Sequence, residues 1–374
     1  MSVLIRQVRS SQDLKTFIYL PEKIHKDHLN WLPPLYVDEK NFFNVKKNPQ
    51  FEENETILFL AFKDSKAVGR IMGIIPKEFN SINGVHTARF SYLECYDDEE
   101  VFNTLLKSVQ DWARPFHCTT IIGPMGFSDK EPQGFLTKGF EEKTMMVTNH
   151  SFQYMEEYIE RAGFSSFVEL CQYEVPLSRA ILQRYEPITE RVMRNLQIKV
   201  QEFRNTKEIQ PFVQRVFQLI NRTYTDIYGF TRVTEQEASE FAKRFIPLLN
   251  PKLVKLILDR NENVVAFVIA MPDLSEAIRK ANGRLLPLGW FHILREMRSS
   301  QRLVLLLGSV ENEMQNKGLD AVLAVKLIKS ALDLGFTKMD SHLIMKNNTK
   351  MRAEIERLPG FRLYKEYTIY SKEL

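Results

Sequence analysis

The sequence predicts an α+β fold, a mixed sheet flanked by helices, built twice in tandem. Three observations carry this. Short apolar strands alternate with amphipathic helices, and each half carries a hairpin signal early, after a first strand and helix. A set of segments recurs in the same order along the chain. The composition, 44% hydrophobic and 26% charged over 374 residues, is that of an ordinary globular chain, so disordered, collagen-like and coiled-coil classes are excluded.

The recurrence is read segment by segment. Val8–Phe17 (VRSSQDLKTF) matches Phe203–Phe212 (FRNTKEIQPF). Lys63–Ile74 (KDSKAVGRIMGI) matches Arg260–Met271 (RNENVVAFVIAM), each a polar turn followed by a Val/Ile-rich run. Gly163–Val175 (GFSSFVELCQYEV) matches Gly360–Lys372 (GFRLYKEYTIYSK) at nearly the same offset. Leu106–Ala113 resembles Ile328–Gly335 at a larger offset, so the second half carries an insertion around Pro272–Gln301, and the first carries one around Gly123–Val147. The expected domains are 1–190 and 191–374, joined near Pro187–Leu196.

In the second half, strands are expected near Lys199–Arg204, Leu253–Leu258, Val264–Met271, Arg302–Val310, Lys338–Ser341 and Glu366–Ser371. Helices are expected near Ile209–Tyr224, Glu235–Leu249, Leu319–Leu334 and Lys346–Leu358. The Leu319–Leu334 pattern is apolar nearly all round, as in a mostly buried helix.

Composition and targeting narrow the function. The three cysteines (Cys95, Cys118, Cys171) are an odd number, which argues for a reducing, cytoplasmic setting and against a disulfide framework. No segment reads as a membrane span or an export signal. The net charge of +4 permits an anionic ligand but does not predict nucleic acid.

The strand Leu303–Val310 is followed by the turn Gln315-Asn316-Lys317-Gly318-Leu319-Asp320 and then the long helix. This resembles the pyrophosphate loop of the GNAT superfamily of acyl-CoA N-acyltransferases, with pattern Q/R-x-x-G-x-G/A. Glycine admits the backbone close to phosphate, and a helix N-terminus offers N–H groups to it. The closing block Asn347–Tyr370, with Asn348, a helix and then Gly360-Phe361, resembles the same superfamily. The resemblance implies acetyl-CoA or another acyl-CoA as cosubstrate and an amine as acceptor. It implies cofactor contacts at Val310, Gln315, Asn316, Lys317, Gly318, Leu319, Asp320 and Asn348. The whole chain also resembles bacterial tandem proteins of this fold, through Asn30–Leu35 and Gly123-Pro124-Met125. Tandem aminoacyl-tRNA-dependent transferases share the architecture.

The sequence departs from the GNAT pattern in places. Asp320 stands where the family has Gly or Ala; a capping or dipole role explains it. The first half's counterpart of the loop, Cys95-Tyr96-Asp97-Asp98-Glu99-Glu100, has no glycine and four carboxylates, so this half is expected not to bind coenzyme A. Many family members place a general-acid Tyr four residues before the Gly-Phe pair, where Glu356 and Ile159 stand here. Glu356 and Tyr364 are therefore the candidate acids, with Tyr367 and Tyr370 as core-aromatic alternatives, and Glu311 or Glu313 is the candidate base.

Other motifs carry less. Gly134–Phe140 has a P-loop frame without its Lys-Ser/Thr. His25 and His28 share a predicted helix face without further ligands, so no metal is expected. The long loop Gly123–Glu142 offers Asp129, Lys130 and Glu131 to a pocket or to solvent. The insert Leu285–Arg298 reads as an amphipathic helix, either packed on its own domain or forming a lid or interface. The leading expectation is an acyl-CoA-dependent N-acyltransferase with its site in the second half. The alternatives are a non-catalytic binding or assembly protein that kept the fold, and an aminoacyl-tRNA-dependent transferase.

Overall fold

The computed structural model describes residues 2–374, apart from the side chain of residue 244. In chain order the first elements are β1 (Leu4–Gln7), α1 (Ser11–Ile24), α2 (Tyr36–Phe42), α3 (Gln50–Glu53), β2 (Glu55–Lys63), β3 (Lys66–Ile75), α4 (Lys77–Asn83), β4 (Thr87–Cys95), α5 (Glu99–Ala113), β5 (Thr120–Gly123), β6 (Phe135–Lys138), α6 (Gln153–Arg161) and β7 (Ser165–Pro176). Then come α7 (Arg179–Leu196), β8 (Lys199–Gln201), α8 (Val213–Thr223), α9 (Glu235–Phe245), β9 (Val254–Leu258), β10 (Val264–Pro272), α10 (Ser275–Lys280) and α11 (Gly289–Ser299). The last are β11 (Arg302–Val310), α12 (Leu319–Asp333), β12 (Lys338–Asp340), β13 (Ile344–Met345), α13 (Thr349–Glu356) and β14 (Arg362–Glu373).

The chain forms two compact units. Unit 1 comprises residues 1–171, 274–295 and 365–374; unit 2 comprises 172–273 and 296–364. Division by contact thus follows a different line from division by sequence repeat. The last strand of the chain closes the sheet of unit 1, where Tyr370 opposes Gly123 and Glu373 opposes Thr120. The end of β7, which closes the first repeat in sequence, is built into unit 2, where Glu174 opposes Asp340.

The sheet of unit 1 runs β1-β2-β3-β4-β5-β14. Hairpin β2–β3 pairs from Glu55↔Ile75 to Lys63↔Lys66 with one bulge at Val68, between Ala61↔Gly69 and Phe62↔Ala67, and turns at 64–65. Phe90, Phe102, Leu105, Phe135, Ile159 and Tyr370 join its core against α5 and α6. Helix α1 starts at a capping box, with Ser10 Oγ accepting from the Asp13 N–H at 3.0 Å. It ends at Ile24, so His25 is a C-cap and His28 lies beyond the helix on which the sequence pattern put it. The 123–142 stretch expected as loop contains the short strand β6, which pairs with β14.

The sheet of unit 2 runs β7-β12-β11-β10-β9-β8. Helix α12 packs its buried residues Leu319, Val322 and Leu323 against Ile257, Val265 and Ala266 of the sheet, with Val192 and Val310 at the margin. Helix α8 covers a second cluster through Val216, Leu219 and Ile220, beside Leu256 and Phe267. Helix α9 opens on a capping box between Thr234 and Glu237.

Candidate functional site

The site follows from how two parallel strands of unit 2 part. β11 and β12 pair over three positions, Arg302↔Lys338 to Val304↔Asp340. There β12 ends, while β11 continues to Val310. Two local causes are visible. The β10–β11 register slips at Ile269/Ala270, where Leu307 and Leu305 are the successive partners; Leu306 is the extra residue of a bulge that re-aims the strand. On the other side, Ser341 is drawn toward β7. Its N–H donates to the Tyr173 carbonyl (2.9 Å), its hydroxyl accepts from the Tyr173 N–H (2.9 Å), and Gln172 donates to its carbonyl (3.0 Å). Beyond Val304 the β11 edge is therefore not paired by β12, with Leu305–Leu307 half-buried and Gly308 exposed.

From the end of this free edge the chain runs to the start of α12. Gly318 is the N-cap at φ +85°, and no side chain caps this helix. Asn316 is also left-handed, at φ 60°. A β-carbon on Gly318 would lie 3.2 Å from a Val192 methyl, so glycine relieves both the dihedral and the contact. Asn316 and Lys317 are exposed, while Leu319 is fully buried and anchors the helix. Lys350 at the start of α13 donates to Gln315 Oε1 (3.2 Å), and Asn348 caps α13 by accepting from the Met351 N–H (3.1 Å). The predicted cofactor residues thus gather where the α12 turn meets the α13 start. Asp320 is hydrogen-bonded to Glu354, whose carboxyl is lifted to about 7 by burial and by this neighbouring carboxyl. Two carboxyls thus lie side by side next to the candidate phosphate turn.

The candidate catalytic residues lie at different depths. Glu311, at the end of β11, is held by the Arg222 guanidinium at 2.7 and 3.0 Å. Glu356, on α13, accepts from the Tyr173 hydroxyl and from Arg352 (3.2 Å); the Tyr173 bond, then Arg352, holds its carboxyl below the usual range. Tyr364 is buried at the root of the sheet and bonds Asp340, which is itself paired with Arg302. Sequence reasoning missed the row at the end of α8. Arg222 reaches Glu311, Thr223 meets Ser309 (2.7 Å between hydroxyl oxygens), and the Tyr224 hydroxyl donates to the Gly308 carbonyl (3.0 Å). Three consecutive residues thus wall β11 just past the bulge. The partners are far apart in sequence, and no local pattern links them.

No family model matches the chain. In solved structures it is similar to a tandem GNAT protein from the clavulanic acid biosynthesis pathway, with TM-score 0.57 and 12% identity, covering 100% of this chain and 98% of that one. The chain has the tandem GNAT fold. A GCN5-related N-acetyltransferase from Sphaerobacter thermophilus is also similar, at TM-score 0.54 and 8% identity, covering 99% and 95% of the two chains. In sequence the chain is 28% identical to a protein named bacterial ceramide synthase from Caulobacter vibrioides, over 98% of this chain and 96% of that protein.

The first GNAT unit has the same parted strands with a different filling. β4 and β5 pair only over Thr87–Arg89 and Thr120–Ile122. Beyond that, the loop after Gly123 enters. The Met125 N–H bonds the Phe90 carbonyl (2.8 Å), Arg89 donates to the carbonyls of Gly126 (3.1 Å) and Phe127 (2.7 Å), and Met125 and Phe127 are buried. The turn at the start of α5 is engaged as well. Lys63 pairs with Asp98 (2.6 Å) and Glu100 (2.8 Å), Arg161 with Glu99 (2.9 Å), and the Tyr158 hydroxyl bonds Asp97. Asp98 caps the helix itself by accepting from the Val101 N–H. Packing and ion pairs occupy in unit 1 the places that β11 and the Gly318 turn leave accessible in unit 2.

Unit 1 holds a buried polar cluster of its own. His25 Nδ1 lies 3.0 Å from His28 Nδ1, and His25 Nε2 lies 3.5 Å from Glu94, which Arg70 binds at 2.8 Å. Burial would raise Glu94, but Arg70 and His25 outweigh it and bring its pKa to about 2. Glu39, half-buried near both Glu94 and Arg70, is raised to about 7 by desolvation first and by Glu94 and Asp38 next. Burial, then His25, lowers His28 to about 4. Among the described residues no group of three or more His, Cys, Asp or Glu side chains is arranged to hold a metal ion.

Proposed function

We propose that unit 2 is an acyl-CoA-dependent N-acyltransferase and that its acceptor is a long-chain amine. The observation that supports this most is the parting of β11 from β12 at the Leu306 bulge, opening onto the uncapped α12 turn. The bulged edge offers backbone N–H groups to polarise a thioester carbonyl, as an oxyanion hole does. The turn at Asn316–Asp320 would meet the pyrophosphate with its N–H groups and with Lys317.

In this reading the amine attacks the thioester carbon, the C–N bond forms, and the C–S bond breaks to release the coenzyme thiolate. Glu311, held by Arg222, is the carboxylate that accepts the proton the attacking amine loses. Tyr224, on the Gly308 carbonyl, is the phenol at the exposed edge of the strand and serves as proton donor to the thiolate. Glu356 and Tyr364 act as supports: Glu356 binds Arg352 and Tyr173, which also bind each other, and Tyr364 buttresses Asp340. Asn348 orients the start of α13. The acceptor class rests on similarity to the protein named bacterial ceramide synthase, because a ceramide is an N-acylated long-chain amino alcohol.

Calorimetric titration with acyl-CoA thioesters of increasing chain length tests the reading. Saturable binding is expected, weakened at least tenfold by Lys317→Glu, which reverses an exposed charge without touching the core. No saturation at millimolar acyl-CoA, or equal binding by the variant, overturns it.

A further inference from the structure

The insert 274–295 belongs to unit 1, and its two ends behave oppositely. Its first part is tied down. Ser275 Oγ accepts from the Met146 N–H (2.8 Å), Glu276 pairs with Lys143 (2.9 Å), the Gly283 carbonyl accepts from the Tyr36 N–H (3.0 Å), and Arg284 pairs with Glu22 (2.6 Å). Its second part turns apolar side chains outward. Leu286 is 78% exposed, Leu288 66%, Phe291 55%, Trp290 49% and Leu294 48%. Among the described residues, eighteen large apolar side chains are exposed, and these five fall within nine consecutive positions. That density separates the segment from the scattered exposure every protein surface shows.

Helix α11 has a definite outward face. Exposed positions 290, 291, 294, 295 and 298 recur at helical spacing and form one stripe, with Trp290, Phe291 and Leu294 toward its start and Arg295 and Arg298 toward its end. Glu296 is the one carboxylate within Gly289–Ser299, and it is half-buried off the stripe. Exposed Trp, Phe and Leu beside arginines suit the boundary of a bilayer: the rings and leucines enter the headgroup region, and the guanidinium groups meet lipid phosphates. A protein partner of matching acidity would need its own apolar groove, whereas an anionic bilayer supplies both layers at once.

We propose that Leu286–Arg298 docks the protein on the surface of a membrane containing anionic phospholipid. This is peripheral docking. No helix among the described residues is long and apolar enough to cross a membrane, and the proposal departs from the sequence-based expectation of no membrane partner. The proposal stands apart from the acyl-transfer reading, and its test uses no activity measurement.

The full chain is sedimented with extruded vesicles of phosphatidylglycerol and phosphatidylethanolamine, and in parallel with phosphatidylcholine alone, at low and high salt. Preferential partitioning into the anionic vesicles is expected, weakened by salt. A Trp290→Ala/Phe291→Ala variant is expected to lose at least tenfold in partitioning. An Arg295→Gln/Arg298→Gln variant is expected to keep only a weak, salt-insensitive fraction. Leu294→Glu is the second apolar-face variant, in case the double alanine fails to fold. Absence of partitioning by the native chain overturns the proposal, as does equal partitioning of folded apolar-face variants. A dimer that the same variants dissociate, without vesicle binding, assigns the face to a second copy and overturns it as well.

Discussion

Glu39 and Glu94 show how far a few ångströms of context divide two carboxylates of one unit. Both are half-buried, but Glu94 accepts from Arg70 directly, while Glu39 meets a guanidinium already engaged and two other acidic groups. The two therefore act on stability in opposite directions. Glu94, depressed to about 2, stabilises the fold above the ordinary carboxylate range, and this contribution is lost as pH falls toward 2. Glu39, raised to about 7, contributes fully below the ordinary range, and its contribution is lost as pH rises to 7. Glu131, likewise raised to about 7 by burial, adds to the second effect. Glu39 and Glu131 therefore each lower stability between roughly pH 5 and 7, while His28 and His150, held neutral by burial, raise it over an overlapping range. Denaturant midpoints of the native chain and Glu39→Gln across this range isolate the Glu39 contribution: the variant should gain on the native chain as pH rises. Parallel profiles for the two contradict the assignment.

At the scale of elements, the relation between α8 and β11 decides what the site can do. The end of α8 places Arg222, Thr223 and Tyr224 against Glu311, Ser309 and Gly308, and the Leu306 bulge presents that stretch of strand at an accessible edge. If the Tyr224 hydroxyl delivers the proton to the departing thiolate, Tyr224→Phe lowers turnover by about 10²-fold or more with acyl-CoA affinity unchanged. A variant that loses affinity and turnover together assigns Tyr224 to positioning β11. The elements themselves were largely legible. β9, β10, β11 and α12 lie within a residue or so of their expected bounds, because apolar alternation and a nearly all-apolar helix are strong periodic signals. The Gly318 turn was legible for a similar reason: only glycine sits comfortably at φ +85°. β6 was not, since four residues between glycine and proline clusters give no period. The α8–β11 row was not either, because it arises from tertiary packing between distant segments.

For the molecule as a whole, the repeat showed that one unit is written twice but not how the closing strands are shared. The blocks Gly163–Val175 and Gly360–Lys372 carry the same pattern of aromatic, Glu and Tyr, so nothing in either says which sheet it completes. Contacts resolve it: residues 365–374 belong with unit 1 and residues 172–176 with unit 2. The consequence for folding is direct. Tyr367, Ile369 and Tyr370 are almost fully buried. Tyr370 is part of the same core cluster as Phe90, Phe102 and Phe135. Burying such side chains is worth about 2 kcal/mol or more each. Losing all three removes an amount comparable to the roughly 5–15 kcal/mol that holds a domain folded. The Lys372 ammonium also donates to the Ala162 carbonyl at 2.6 Å, tying the strand to the end of α6. A fragment spanning 1–190 should therefore lack a cooperative thermal transition, although it contains one complete copy of the repeat. Appending residues 362–374 to that fragment through a flexible linker should restore a transition. Scanning calorimetry of the two fragments beside the full chain checks this, and a cooperative transition in 1–190 alone, at the midpoint of the full chain, would show that its sheet closes without the last strand.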